Sequence, residues 1–249
     1  MGEYDRAWEH FTQAEEIFKQ LHDRNGLARA SRNLGWVCYL KGKAAQEEER
    51  RKWFEEALGH YERSRRLCEE FGIEPELPNL LNKIGIIRRA LGDTEAAQRA
   101  FAQSLQLARD HGDSLFIAND LVRLAEMAYA NGDLERVAEY ADEVRRFQER
   151  GFRFGLAYAE IEELLARVAL DAGDYEEAFR HVGENYAHLA HLNRWRFDRK
   201  IEALREFFEA LPDAEWRRRC AEQLIRFWEE QGLGEEYADL TAICEEYIM

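Results

Sequence analysis

The chain of 249 residues carries 35 Lys and Arg against 50 Asp and Glu, a formal net charge of -15, with 46% hydrophobic residues and only 3 prolines. Such an acidic balance argues against general affinity for nucleic acid, whose phosphates reward clustered Lys and Arg. No run approaches the roughly 18–20 apolar residues of a membrane-spanning helix, and no charged-then-apolar leader is expected.

Ala, Leu, Glu and Arg are abundant helix formers, and no alternating β-branched run is bounded by turn residues. The expected class is all-α. In chain order, the first helix covers 3–22, with Tyr4, Ala7, Trp8, Phe11, Ala14, Ile17 and Phe18 on one face. Asn25-Gly26 ends it, and a helix over 27–41 follows. Residues 43–52 are polar and helix-forming; they predict one long helix over about 44–70. Gly72 to Pro78 reads as a stiff loop, because proline fixes φ and biases the residue before it. Helices are then expected at 79–91, 94–111, 115–131, 134–150, 155–172 and 175–191. The last three are placed at 195–210, 213–231 and 234–247, the first two split by Leu211-Pro212-Asp213.

A Gly-Asp turn recurs at Gly92-Asp93, Gly132-Asp133 and Gly173-Asp174, at spacings of 40 and 41 residues, with looser copies at Gly2-Glu3 and Gly42-Lys43. Glycine there suits a left-handed helix end, and aspartate the N-cap of the next helix. Two, five, nine and twelve residues past the glycine stand Tyr4, Ala7, Phe11 and Ala14, then Thr94, Ala97, Phe101 and Ser104. Leu134, Val137, Ala141 and Val144 repeat the set, as do Tyr175, Ala178, Val182 and Asn185. With residues 43–52 removed, Phe54, Ala57, Tyr61 and Ser64 join it. A fixed period of this size means a helical repeat array. We expect it over 1–192, opening in mid-repeat with an insertion at 43–52. Residues 193–249 would form a degenerate repeat and capping helices of the same solenoid.

The helix before each turn supplies a large then a small residue: Leu34-Gly35, Ile84-Gly85, Leu124-Ala125 and Leu165-Ala166. With the aromatic and alanine positions after the turn, this resembles the tetratricopeptide repeat family over about residues 2–192. The period of 40 exceeds the family's usual ~34. Long-repeat members include bacterial peptide-sensing regulators, kinesin-light-chain-like adaptors and the sensor ends of NTPase switch proteins. The resemblance implies a right-handed superhelical solenoid of antiparallel helix pairs. It also implies a noncatalytic, protein- or peptide-binding role as the sensor or scaffold part of a larger regulatory protein. The alternative is a stand-alone bacterial peptide-signal receptor or a co-chaperone-like adaptor.

In the family, a stripe on each first helix lines the concave groove. Before Gly42 it contains Arg29, Arg32, Asn33, Trp36 and Tyr39; before Gly92, Asn79, Asn82, Lys83 and Arg89; before Gly132, Asn119, Arg123, Glu126 and Tyr129. The copy before Gly173 holds Glu160, Glu163, Arg167 and Asp171. The first three sets are basic and asparagine-rich in an acidic protein. Asn amides can hold a peptide backbone, Arg and Lys select carboxylates, and Trp36 and Tyr39 offer aromatic anchors. The expected partner is a protein segment of acidic character. A homodimer through the N-terminal helix is also expected.

No P-loop, dinucleotide fingerprint, zincin motif or nucleophile elbow occurs. Cys38, Cys68, Cys220 and Cys244 lack metal-like spacing and read as reduced core thiols in a cytoplasmic setting. His181, His188 and His191 share one helix without a third ligand. Neither enzyme activity, cofactor nor metal is expected.

Overall fold

The computed structural model describes residues 2–189, 197–230 (backbone alone for 197–200), 232 and 237–248. Among these, the regular structure is entirely helical. The chain divides into two compact units, Met1–Met127 and Ala128–Met249.

The N-terminal unit begins with α1 (Gly2–Gln20), α2 (Arg24–Ala44) and α3 (Glu47–Phe71). A short 3-10 turn, Glu74–Glu76, leads into α4 (Leu77–Ala90), α5 (Thr94–His111) and α6 (Ser114–Ala130), within which the unit boundary falls. The C-terminal unit continues with α7 (Leu134–Glu149), α8 (Gly155–Asp171), α9 (Tyr175–Leu189), α10 (Phe197–Ala210), α11 (Ala214–Glu230) and α12 (Ala238–Ile248). The helix expected over 175–191 is therefore described only to Leu189, and His191 lies outside the described residues. No described helix is long and apolar enough to cross a membrane.

The Gly-Asp turns behave as their chemistry requires. Gly92, Gly132 and Gly173 have φ of 88°, 74° and 74°, a region that side chains disfavour. Asp93, Asp133 and Asp174 then accept from the backbone N–H groups of Ala96, Arg136 and Glu177, filling donors the helix start leaves open.

The region around Gly42 departs from expectation. Gly42 is no turn residue: it is buried inside α2, and a Cβ there would lie 2.6 Å from the Phe54 ring. The insertion is split. Lys43 and Ala44 finish α2, and Glu47–Lys52 open α3, whose acidic first turn (Glu47, Glu48 and Glu49) suits the positive end of the helix dipole. Pro78 likewise belongs to the first turn of α4 rather than to a loop, a place where its missing N–H leaves nothing unpaired.

The large-then-small pairs set the approach of neighbouring helices. Cβ atoms at Gly35 and Gly85 would lie 3.1 Å from the Tyr61 ring and 2.6 Å from the Phe101 ring. Leu80, Ile84, Ile87, Cys38, Phe54 and Ala57 fill the rest of that core. A polar tie recurs beside it. Ser64 donates to the Ala28 carbonyl at 2.8 Å, Ser104 to the Pro78 carbonyl at 2.8 Å, and Asn185 to the Ala159 carbonyl at 2.5 Å. For Ser104 and Asn185, donor and acceptor stand twelve after and fourteen before the turn glycine, and Ser64 and Ala28 take the same places relative to Gly42 once residues 43–52 are removed. Arg88 is neutralised by Asp93 and Glu62.

In the C-terminal unit one apolar cluster runs from Ala159 on α8 to Cys244 on α12. Its centre is aromatic: Trp228, Tyr186 and Tyr237 pack edge to face at 5.4–6.0 Å, and the Tyr237 hydroxyl donates to the Tyr186 carbonyl. All four cysteines are free and buried.

Candidate binding groove

The N-terminal unit brings the predicted stripes of α2, α4 and α6 together. The Lys83 ammonium sits 5.2 Å over the Trp36 ring, joining α4 to α2. Trp36 stacks on Tyr39 at 5.3 Å, and Tyr39 on Phe54 at 5.8 Å. Trp36 stays 41% exposed, an unusual exposure for the largest apolar side chain. On the other side, Arg89 of α4 pairs with Glu126 of α6, which also takes Arg123 at 2.8 Å. Arg32 of α2 pairs with Glu76 from the 3-10 turn. Arg29 is exposed, while Asn33, Asn79 and Asn119 are half-buried.

One stripe residue is turned inward. Asn82 is 5% exposed, and its amide donates to Asp120 Oδ1 at 2.7 Å. Asp120 is wholly buried, and its Oδ2 lacks a hydrogen-bond partner. Burial pushes its carboxyl up to about 7; Ser104, Asn82, Arg123 and Lys83 pull it only part of the way back. The Asn82 amide is therefore engaged within the protein, beneath the surface formed by Lys83, Arg89 and Arg123.

The surface is less basic than its stripe residues alone suggest. Glu76 and Asp120 lie outside the predicted stripe, yet Glu76 neutralises Arg32 and Asp120 takes the Asn82 amide. Asp120 had a signal in the repeat. Twelve residues before the turn glycine, the other copies hold Ala30, Leu80 and Ile161, all buried. A carboxyl in that apolar position marks a buried titratable group. Glu76 had no such signal, because the loop carrying it has no counterpart in the other copies.

A second charged cluster lies in the C-terminal unit. Arg145 donates to both oxygens of Glu162 at 2.9 and 3.1 Å, and His181 Nδ1 lies 2.5 Å from Glu162 Oε2. Arg180 binds Glu177 and Glu184. Burial alone would raise the Glu162 carboxyl, but His181 and Arg145 hold it below its ordinary value. Glu162, His181 and Glu184 are close enough to share a cation. Guanidinium groups already neutralise both carboxylates, so the cluster is built as an ion-pair network. His188 packs on Tyr158, with ring centroids 5.4 Å apart. Arg218 and Arg219 are paired with Glu222 and Glu176.

The family model for the tetratricopeptide repeat matches residues 48–110, from α3 through α5. Residues 48–110 therefore carry the tetratricopeptide-repeat pattern. The crystal structure of BtubC (BKLC) from P. vanneervenii is similar, with a TM-score of 0.62 and 14% sequence identity over 98% of this chain and 90% of that one. That likeness establishes the fold, an all-α helical repeat. No curated protein sequence matches the chain. Tetratricopeptide repeats generally mediate protein–protein interaction.

Proposed function

We propose that this protein is a noncatalytic protein-binding module that holds an extended or helical partner segment along the first helices of its N-terminal repeats. The observation carrying this reading is the juxtaposition of Trp36, Tyr39 and Lys83 with Arg89 and Arg123 on one surface. Trp36 is a half-exposed aromatic anchor already stacked, so little rotamer freedom is lost on binding. Arg29, Arg32, Asn33, Asn79 and Asn119 extend the surface around it. Glu76 and Glu126 hold Arg32, Arg89 and Arg123 in place until partner carboxylates share or displace them. An acidic segment with an apolar side chain for Trp36 fits best. The role is that of a scaffold or sensor within a regulatory system, in the manner of long-repeat members of the family.

An array of immobilised peptides of equal length, in acidic, neutral and basic series with and without an aromatic residue, tests this. Acidic aromatic peptides should bind best. Arg123→Glu and Trp36→Ala should each weaken that binding by about tenfold or more, the scale of a single hot-spot residue. Binding without charge preference, or unchanged in both variants, would remove the groove from consideration.

A further inference from the structure

Packing of α2 against α3 assembles a set of side chains that no sequence motif announces. Glu56 and His60 are four residues apart on α3 and so share one helix face. Cys38 of α2 meets them, and Cys38 Sγ, a Glu56 carboxylate oxygen and a His60 ring nitrogen all lie within 4.8 Å of one another. We propose that Cys38, Glu56 and His60 form a Zn²⁺ site, with three protein ligands and a fourth tetrahedral position for water.

The ligand chemistry is right for zinc. Thiolate, imidazole and carboxylate are its three common donors, at about 2.3, 2.0–2.1 and 2.0–2.2 Å. Tetrahedral bonds of those lengths place the ligand atoms about 3.4–3.6 Å apart. The set must therefore close by at most about 1 Å, to which the exposed, flexible Glu56 side chain can contribute by rotation. A thiolate and a carboxylate balance the two charges of the ion, so the complex is neutral and suits its half-buried place. Burial holds the His60 imidazole below its ordinary value, which favours the neutral form that ligates. Trp8 packs against His60 in a T-shaped arrangement with centroids 5.4 Å apart and limits its rotation.

The surrounding cations are directed elsewhere. Lys41, one turn beyond Cys38, is bound to Asp5 at 2.5 Å and lies over the Trp53 ring. Arg63 is bound to Glu15 at 2.6 Å. Among the described residues no arginine or lysine is paired with Glu56, in contrast to the carboxylates around His181. Metal binding at Cys38 exchanges the thiol proton for a zinc–sulfur bond and releases that proton to solvent. Burial and the neighbouring Glu56 push the free thiol up to about 12, so the proton is present to be released at neutral pH.

The test uses the full chain, stripped with chelator and free of any affinity tag, titrated with Co²⁺ alone. One equivalent should produce a near-ultraviolet sulfur-to-cobalt charge-transfer band with tetrahedral visible bands, and Zn²⁺ should displace it. Cys38→Ser should abolish the band, and His60→Gln, at a half-buried position, should weaken binding by about tenfold or more while far-ultraviolet circular dichroism is unchanged. Cys68→Ser should leave the band intact. No charge-transfer band at stoichiometric Co²⁺ overturns the proposal. So does a band that persists in Cys38→Ser, or an affinity unchanged by His60→Gln.

Discussion

Asp120→Asn isolates the buried carboxyl under the groove. Asp120 has no exposed surface, one hydrogen bond from Asn82, and an unpartnered Oδ2. Its carboxyl titrates near 7 in the folded chain against an ordinary 3.8. Because the folded value is the higher one, the folded chain keeps its proton where the unfolded chain has lost it. Stability therefore falls as pH rises from about 4 to about 7 and levels off above that. The full penalty on the ionised form is about 4 kcal/mol, of which about 3 kcal/mol develops between pH 5 and pH 8. Asparagine keeps the acceptor for Asn82 and carries no charge. Its amide can donate to Ser104, whose own proton goes to the Pro78 carbonyl. Urea denaturation of both proteins at pH 5 and pH 8, followed by circular dichroism, reads the difference. Other titrating groups cancel in the comparison. The wild type should lose about 3 kcal/mol relative to Asp120→Asn over this interval. Parallel pH profiles for the two proteins would refute the account of a buried, proton-retaining Asp120.

Glu162 should have the opposite pH signature. Its carboxyl is held below 4.5 by His181 and Arg145 in spite of burial, so its contribution is present above about pH 4.5 and is lost on acidification through the folded value. At pH 7, Glu162→Ala should destabilise by about 3–5 kcal/mol, the scale for breaking a buried pair, measured by chemical denaturation. Two glycine substitutions should move thermal stability in opposite directions. Gly85→Ala puts a Cβ 2.6 Å from the Phe101 ring and should cost about 1–3 kcal/mol. Gly59→Ala, exposed in α3 with open space around it, should stabilise by about 0.5–1 kcal/mol.

The repeat period made most of the fold legible. Helix boundaries near Gly92, Gly132 and Gly173 follow from glycine and aspartate chemistry that acts within a few residues. Gly42 misled because the same residue type serves two needs: there it relieves crowding against Phe54 inside a helix instead of supplying a left-handed turn. The candidate surface was legible as a stripe, since the places of Trp36, Tyr39, Lys83, Arg89 and Arg123 follow from helical spacing. Its charge was not, because pairing partners such as Glu76 arrive from another part of the chain. Asn82 illustrates the same limit. Helical spacing assigns it to the stripe, but only the packing of α4 beside α6 turns its amide onto Asp120. The Cys38, Glu56 and His60 set depends wholly on the register between α2 and α3, which no local spacing encodes.

The recurring polar tie has a bearing on that register. Apolar rows on a helix repeat every three or four residues, so two greasy faces fit nearly as well after sliding by one turn, about 5.4 Å. A hydroxyl or amide aimed at one particular carbonyl does not tolerate such a slide, because it would be buried without a partner at about 1–3 kcal/mol. Ser64, Ser104 and Asn185 thus act as phase keys, each selecting one of several near-equivalent alignments for its pair of helices. Ala14 and Val144, in the same position of the remaining copies, have no donor to act as a key.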